Sequence, residues 1–488
     1  MSGDSPGDVD APLVAGVDVA TATVRVEVRD ADGKPAAAAS APLPRPVRGP
    51  GGESEQDAGS WWPAARAALG ECTRKLGRRR HAVRALAIAA TSGTVVAVDA
   101  AGDPVGPALM YDDRRAESEA SIAREAGSRR WERIGITPSA GSGLARIGWL
   151  AAHADDPKAR LLHTPDLIAE HLVGRPVATD TSHALKSGYD PVNAEWAGEA
   201  LTALGVDTDR LPDVVRPAQP LGRVSPAAAA ETGLPAACEV RSGMTDGCAG
   251  QLASGAVDPG RIVTVLGTTL VVKGVSAELV HDPTGAVYSH LHPDGAWLPG
   301  GASNTGGEAL SDVNPGRLAR LDRAAGEHGP SGTVCYPLRR DGERFPFPAP
   351  QARGFLLEPA SDEIDLHRAR LEGVAFCERL ALERMGKLGV AVTSPILTTG
   401  GGARSRLWCG IRASVLGRPV ARVPRAGTAL GAALLAATGT LHPDLSTAAH
   451  AMVPAPERID PIVEEAGPLA ANYRRFLEAL HERGWLNS

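Results

Sequence analysis

The chain has 488 residues, 43% of them hydrophobic and 22% charged, with a net charge of −6. That length accommodates two or three domains with full cores, and the composition is ordinary for a globular protein. The acidic balance, with no large basic face, excludes nucleic acid as a partner, and no apolar run reaches the length of a membrane span.

Residues 1–11, rich in Gly, Ser, Asp and Pro, read as a disordered tail. Their acidic character is unlike a secretory signal. Residues 13–19 alternate as a strand, Ala20, Thr21 and Ala22 make a small-residue turn, and residues 23–28 alternate again. A Pro/Gly-rich loop over 42–59 leads into an Ala-rich helix over 62–76, which the basic run Arg78 to His81 ends. Residues 82–90 and 95–99 are strand-like, joined by the turn Thr91, Ser92, Gly93, Thr94. Helices are expected over 129–135, 143–153 and 165–173, and a polar loop over 180–189. A connection with a short helix and a strand over 220–240 precedes the segment around Asp246, where Gly243, Gly247 and Gly250 let a substrate approach the backbone. The border between lobes falls near Ser254. Beyond it, two β-branched runs over 262–272 are broken by Gly267, Thr268 and Thr269, and a strand at 396–399 enters Gly400, Gly401 and Gly402 before a helix over 406–416. A small-residue helix over 428–437 and an amphipathic docking helix over 469–486 follow. Mixed strands and helices throughout indicate α/β lobes. Six scattered cysteines without a Cys-x-x-Cys pair read as reduced thiols of a cytoplasmic protein.

The chemistry-bearing residues are few. A small turn such as Gly267 to Thr269 exposes N–H groups and hydroxyls that hold phosphate oxygens. A lone acid, Asp246, beside such a turn points to phosphoryl transfer to a hydroxyl. Asp18, read at the first turn, suits a Mg²⁺ or its water shell. The two strand–turn–strand units, half a chain apart, point to two related lobes facing each other across a cleft. Three successive glycines at 400–402 let a flat ring or a ribose lie against bare backbone. Asp113 and Arg115 either contact sugar or pair with each other at the surface, and His183 and Lys186 read as loop anchors.

Taken in order, Gly16, Asp18 and Thr21, the 111–115 segment, Asp246, Gly267 to Thr269, the 400–405 segment and Gly431 to Ala433 resemble the FGGY carbohydrate kinases. The resemblance spans nearly everything from 13 to 440. It implies the two-lobed actin-like ATPase (ribonuclease H-like) fold with a central ATP/sugar cleft. The expected domains are a sugar-binding lobe over 12–254, a nucleotide-binding lobe over 255–440 and a helical tail over 441–488. The stretches 91–94, 183–189, 252–255, 287–290, 297–307 and 342–346 look most like cyanobacterial and plant sugar kinases acting on D-ribulose. Xylulose kinases of the family usually place Gln-Met-His where this chain has Thr91 to Thr94.

The resemblance therefore implies a cytoplasmic ATP-dependent kinase of a ketopentose, D-ribulose first, with ATP and Mg²⁺ as cofactors and, as often in the family, a homodimer. It gives Asp246 the role of general base, and Asp18, Ser92, Asp113 and Asp246 the sugar. The phosphates fall to Thr21, Gly267, Thr268 and Thr269, the adenosine to Gly400, Gly401, Gly402, Ala403 and Arg404, and the metal to Asp18. D-xylulose, L-ribulose or glycerol are alternative acceptors. Ala20, Ala22, Ala89 and Gly427 depart from the family pattern, and the three alanines leave a catalytically weak nucleotide-binding sugar sensor as the third reading.

Overall fold

The computed structural model describes residues 11–424 and 426–486; the expected N-terminal tail lies outside them, apart from Ala11. Two compact units emerge. The first takes described residues up to 255 together with 290–295 and 426–453, and the second takes 256–289, 296–424 and 454–486. The 426–440 stretch, assigned from sequence to the nucleotide lobe, thus joins the first unit, as do residues 441–453 of the expected tail.

In the first unit, strands β1 (Leu13–Ala20), β2 (Thr23–Asp30), β3 (Pro35–Pro42), β4 (Val83–Ala90), β5 (Val95–Val98), β6 (Arg160–His163), β7 (Pro220–Arg223) and β8 (Glu239–Arg241) carry the architecture. The main sheet runs β7-β8-β4-β1-β2-β3. β1, β4 and β8 are parallel; β2, β3 and β7 are antiparallel to their neighbours. The central β1 is buried along nearly its whole length, as a strand covered on both faces must be. β5 leaves this sheet and pairs with β6 in a second one, so the turn at 91–94 joins two sheets.

In the second unit, β9 (Ile262–Leu266), β10 (Leu270–Gly274), β11 (Trp297–Ala302), β12 (Ile396–Thr399), β13 (Val420–Arg422) and β14 (Glu457–Ile459) lie side by side as β11-β10-β9-β12-β13-β14. Here too a central hairpin is flanked by an antiparallel strand on one side and two parallel strands on the other. The order and sense match those of β3-β2-β1-β4-β8-β7, so the two units repeat one plan.

Close packing locks the first unit. A methyl group on Gly16 of β1 would lie 1.9 Å from the Ala429 carbonyl oxygen, and one on Gly431 would lie 1.9 Å from that of Ala249. The helix Thr428–Ala437 therefore rests on β1 and on the helix Asp246–Ala253 at backbone distance. A methyl on Gly243 would meet the Ile88 oxygen at 1.7 Å. The absence of a side chain at Gly243 thus serves strand packing. In the second unit the long helix Glu363–Lys387 crosses the sheet and buries the ion pair of Glu378 with Arg412.

Candidate functional site

In the first unit the parallel strands β1, β4 and β8 deliver their carboxyl ends to one edge of the sheet, where α/β proteins bind ligands. Asp18 lies within β1, in register with Arg25 of β2 and Ala89 of β4, so it sits two residues short of the turn where the sequence suggested it. It is 6% exposed, and Arg25 donates to its Oδ2 at 3.1 Å. Burial pushes the Asp18 carboxyl above its ordinary value; Arg25 opposes that push and the nearby Asp246 charge adds to it. β4 runs into Ser92. The chain beyond β8 pairs Thr245 with Ala90 and then starts the Asp246–Ala253 helix. Asp246 is half-buried at that start, its Oδ1 accepting from the Gly247 N–H at 2.6 Å.

The expected polar loop over 180–189 is instead a short strand, Thr179–Asp180, and a buried helix, Thr181–Leu185. Asp180 caps that helix by accepting the Ser182 and His183 N–H groups. Its Oδ2 takes the His183 Nδ1 at 2.6 Å, while the Ser182 hydroxyl donates to Oδ1 at 2.6 Å. The Ser182 oxygen in turn accepts the Thr245 N–H at 2.8 Å. A hydrogen-bonded chain thus runs from Asp180 to the residue before Asp246. Ser92 Oγ and His183 Nε2 are buried and have no hydrogen-bond partner among the described residues. The turn carrying Ser92 is held by Arg146, whose buried guanidinium donates to the Gly93 oxygen through Nε at 3.0 Å and Nη2 at 2.7 Å.

Asp113 does not join this group. It is fully buried, and its carboxylate accepts from the Ser54 N–H at 2.7 Å and from Arg115 Nη2 at 2.8 Å. The pairing with Arg115 is present, and it lies inside the fold where the sequence placed it at the surface. Thr21 is half-buried on the β1–β2 turn of this same unit, its carbonyl accepting from Gln56 Nε2 at 2.8 Å. Ala89, one of the departures from the family pattern, packs with Ala249 and Ala432 in a dry contact. A surface cavity of about 390 Å³, lined among others by Trp62, Arg160, Glu170 and His171, shares no residue with these groups.

The remaining expected residues lie in the second unit. Gly267, Thr268 and Thr269 form the turn between β9 and β10, with Thr268 exposed. The turn is clasped from behind: the Gly267 oxygen accepts from the Gly307 N–H at 2.8 Å, and the Thr268 oxygen from the Glu308 N–H at 3.0 Å. A methyl on Gly306 would stand 2.4 Å from the Thr269 carbonyl carbon. The paired glycines at 306–307 were visible in the sequence, but only their fold position reveals this clasp. Gly400, at φ +91°, and Gly402 both lie against Leu266, the residue that leads into the Gly267 turn. Gly401 alone of the three has open space where a side chain would be. Ala403 is buried and Arg404 exposed, with Ser405 capping the helix Arg406–Leu416.

Comparison with known proteins bears on the whole chain. The N-terminal domain of the FGGY family of carbohydrate kinases matches residues 13–253, and its C-terminal domain matches 262–440. A xylulose kinase of Streptomyces rubiginosus is 32% identical over 441 residues, covering 88% of each chain. Among solved structures, a protein described as a xyloylose kinase from Brucella ovis superposes with a TM-score of 0.87 at 26% identity, over 96% of this chain and 99% of that one. A xylulose kinase from Rhodospirillum rubrum gives 0.85 at 28% identity, over 96% and 98%. Among the described residues no helix is long and apolar enough to cross a membrane. The α/β fold is that of the actin-like ATPases, and the chain belongs to the FGGY family of carbohydrate kinases, ATP-dependent phosphotransferases acting on sugars.

Proposed function

We propose that this kinase transfers the γ-phosphate of ATP to a hydroxyl of a ketopentose, with Asp246 as the general base. The observation that carries the reading is the placement of Asp246: half-buried, at a helix start, at the carboxyl edge of three parallel strands. There Asp246 takes the proton of the attacking hydroxyl and aligns it, and alignment is most of what phosphoryl transfer asks of a protein. Asp18 and the partnerless Ser92 Oγ offer the sugar two further polar contacts. On the nucleotide side, Gly267, Thr268 and Thr269 of the second unit are assigned to the phosphates. The 400–404 turn is assigned to the adenosine, approached at Gly401, where the backbone is bare.

The described residues contain no cluster of three metal ligands. Mg²⁺ brought in by the nucleotide needs only one or two carboxylates beside the phosphates. Asp18 is the carboxylate that would hold it, and the ion would neutralise charge on the transferring phosphoryl group. The names of the relatives favour D-xylulose as the acceptor. D-ribulose is the second reading, supported by the Thr91 to Thr94 turn where Gln-Met-His is usual in xylulose kinases.

The test is ADP release with Mg·ATP against D-xylulose, D-ribulose, L-ribulose and glycerol, for the wild type and Asp246→Asn. The variant should bind sugar yet lose about 10²–10⁴-fold in kcat. Turnover within threefold of the wild type removes Asp246 from the role.

A further inference from the structure

His183 is fully buried, and its Nε2 has no partner among the described residues. A buried polar nitrogen left this way is costly unless something outside the chain completes it. Everything else about the ring is fixed. Nδ1 is tied to Asp180 Oδ2 at 2.6 Å, and Asp180 Oδ1 is occupied by the Ser182 and His183 N–H groups and the Ser182 hydroxyl. The ring therefore cannot turn to satisfy Nε2 without breaking the Asp180 contact.

The position matters as much as the unmet bond. The residue before His183 accepts the Thr245 N–H, Asp246 follows Thr245, and the Asp246 charge acts on the His183 ring. Thr245 also pairs with Ala90, two residues before Ser92, whose Oγ is the other buried group here without a partner. Two unpaired hydrogen-bonding groups thus stand on backbone segments that converge on the carboxylate assigned to the transferred proton.

We propose that His183 is a specificity-determining residue, its Nε2 donating a hydrogen bond to an oxygen of the acceptor sugar. The proposal rests on the kinase reading above. With Asp180 accepting from Nδ1, a protonated ring presents an N–H at Nε2, and the Asp180 charge holds the ring pKa above its ordinary value although burial works against it. A site that hydrogen-bonds a substrate oxygen rejects analogues lacking that oxygen, because the buried donor is then left unpaired.

The test compares wild type with His183→Asn and His183→Gln. The asparagine amide can reach Asp180 from the Nδ1 position but not the place of Nε2; the glutamine amide reaches the latter. Steady-state kcat/KM is measured for D-xylulose, D-ribulose and the 1-deoxy, 3-deoxy and 4-deoxy analogues of D-xylulose at saturating Mg·ATP. The expected result is a loss of roughly 10–100-fold for His183→Asn on the preferred ketopentose, seen mainly in the sugar KM. The KM for ATP stays unchanged, His183→Gln recovers part of the loss, and the loss disappears for the analogue that lacks the bonded oxygen. A His183→Asn enzyme within twofold of wild type on every sugar overturns the proposal. So does an equal loss on every analogue, which would assign His183 to holding the Asp246 turn. A wild type that turns over none of the five compounds refutes the ketopentose reading and the proposal with it.

Discussion

Replacing Arg146 by methionine tests how the Ser92 turn is built. The guanidinium is buried in the helix Gly143–His153 and reaches three backbone oxygens at good distance: Gly93 at 2.7 Å, Asp113 at 2.9 Å and Gly141 at 3.0 Å. No carboxylate touches it, and burial lowers its pKa to about 10. That shift corresponds to roughly 3 kcal/mol of disfavoured charge, which methionine would relieve. Against this, each carbonyl stripped of its donor in the interior costs about 1–3 kcal/mol, or about 6 kcal/mol for three. The balance is a destabilisation of about 3 kcal/mol in the first unit. Urea unfolding followed by tryptophan fluorescence, to which five of the eight tryptophans contribute from that unit, reads it. Because Gly93 stands at φ +83° with its backbone against Arg146, the turn loosens with the loss of its clamp. Sugar kcat/KM should then fall roughly 10–100-fold, with the KM for ATP unchanged. A variant with an unchanged urea midpoint and sugar kcat/KM within twofold refutes the claim that Arg146 fixes the turn.

Gly431→Ala should cost about 1–3 kcal/mol through overpacking against the Ala249 oxygen, more than the roughly 1 kcal/mol that alanine gains in a helix. A raised urea midpoint would show that the two helices can separate freely. Glu378→Ala strands the fully buried Arg412 charge, which loses its carboxylate and keeps its contact with the neutral Thr264 Oγ1 at 2.6 Å. A loss of about 3–5 kcal/mol is expected, and an unchanged thermal transition of the second unit would contradict it. Burial pushes the Cys72 thiol up to about 11 and those of Cys238 and Cys335 up to about 12. All six cysteines are buried and none is in a disulfide, so a disulfide reagent at pH 8 should react with the native protein only on the unfolding timescale. Rapid release of thionitrobenzoate from the folded chain would overturn this.

The parts of the fold that could be read from sequence are those whose signal is local. The hairpins at 13–30 and 262–274 alternate around small-residue turns, and the helices Gly143–His153, Arg406–Leu416 and Thr428–Ala437 begin and end where their sequence signals stand. Strand β3 was missed because Pro35–Pro42 is mostly alanine; its pairing with β2, and not its propensity, makes it a strand. The helix Glu363–Lys387 was missed because it buries charges: Arg368, Glu372 and Glu378 find partners inside and blur the apolar stripe. At the site, Asp18 and Asp246 announce themselves as acids among small residues. The polar run 180–189 read as a loop because its groups are satisfied by partners no local pattern shows, such as the bond between Ser182 and Thr245, 63 residues apart. Arg146 is hidden for the same reason: its acceptors are carbonyls, which every residue has.

The return of residues 426–453 to the first unit has a consequence for how the protein is made. At synthesis rates of roughly 5–20 residues per second, the roughly 170 residues between Gly255 and Thr428 keep the nascent first unit waiting on the order of 10–30 s. Throughout that interval the faces of β1 and of the Asp246 helix, shaped by Gly16 and Ala249, lack the helix that covers them. The half that is translated first therefore waits for a segment made after most of the second unit, and a gene cut at the border between the two family domains divides a hydrophobic core rather than a linker.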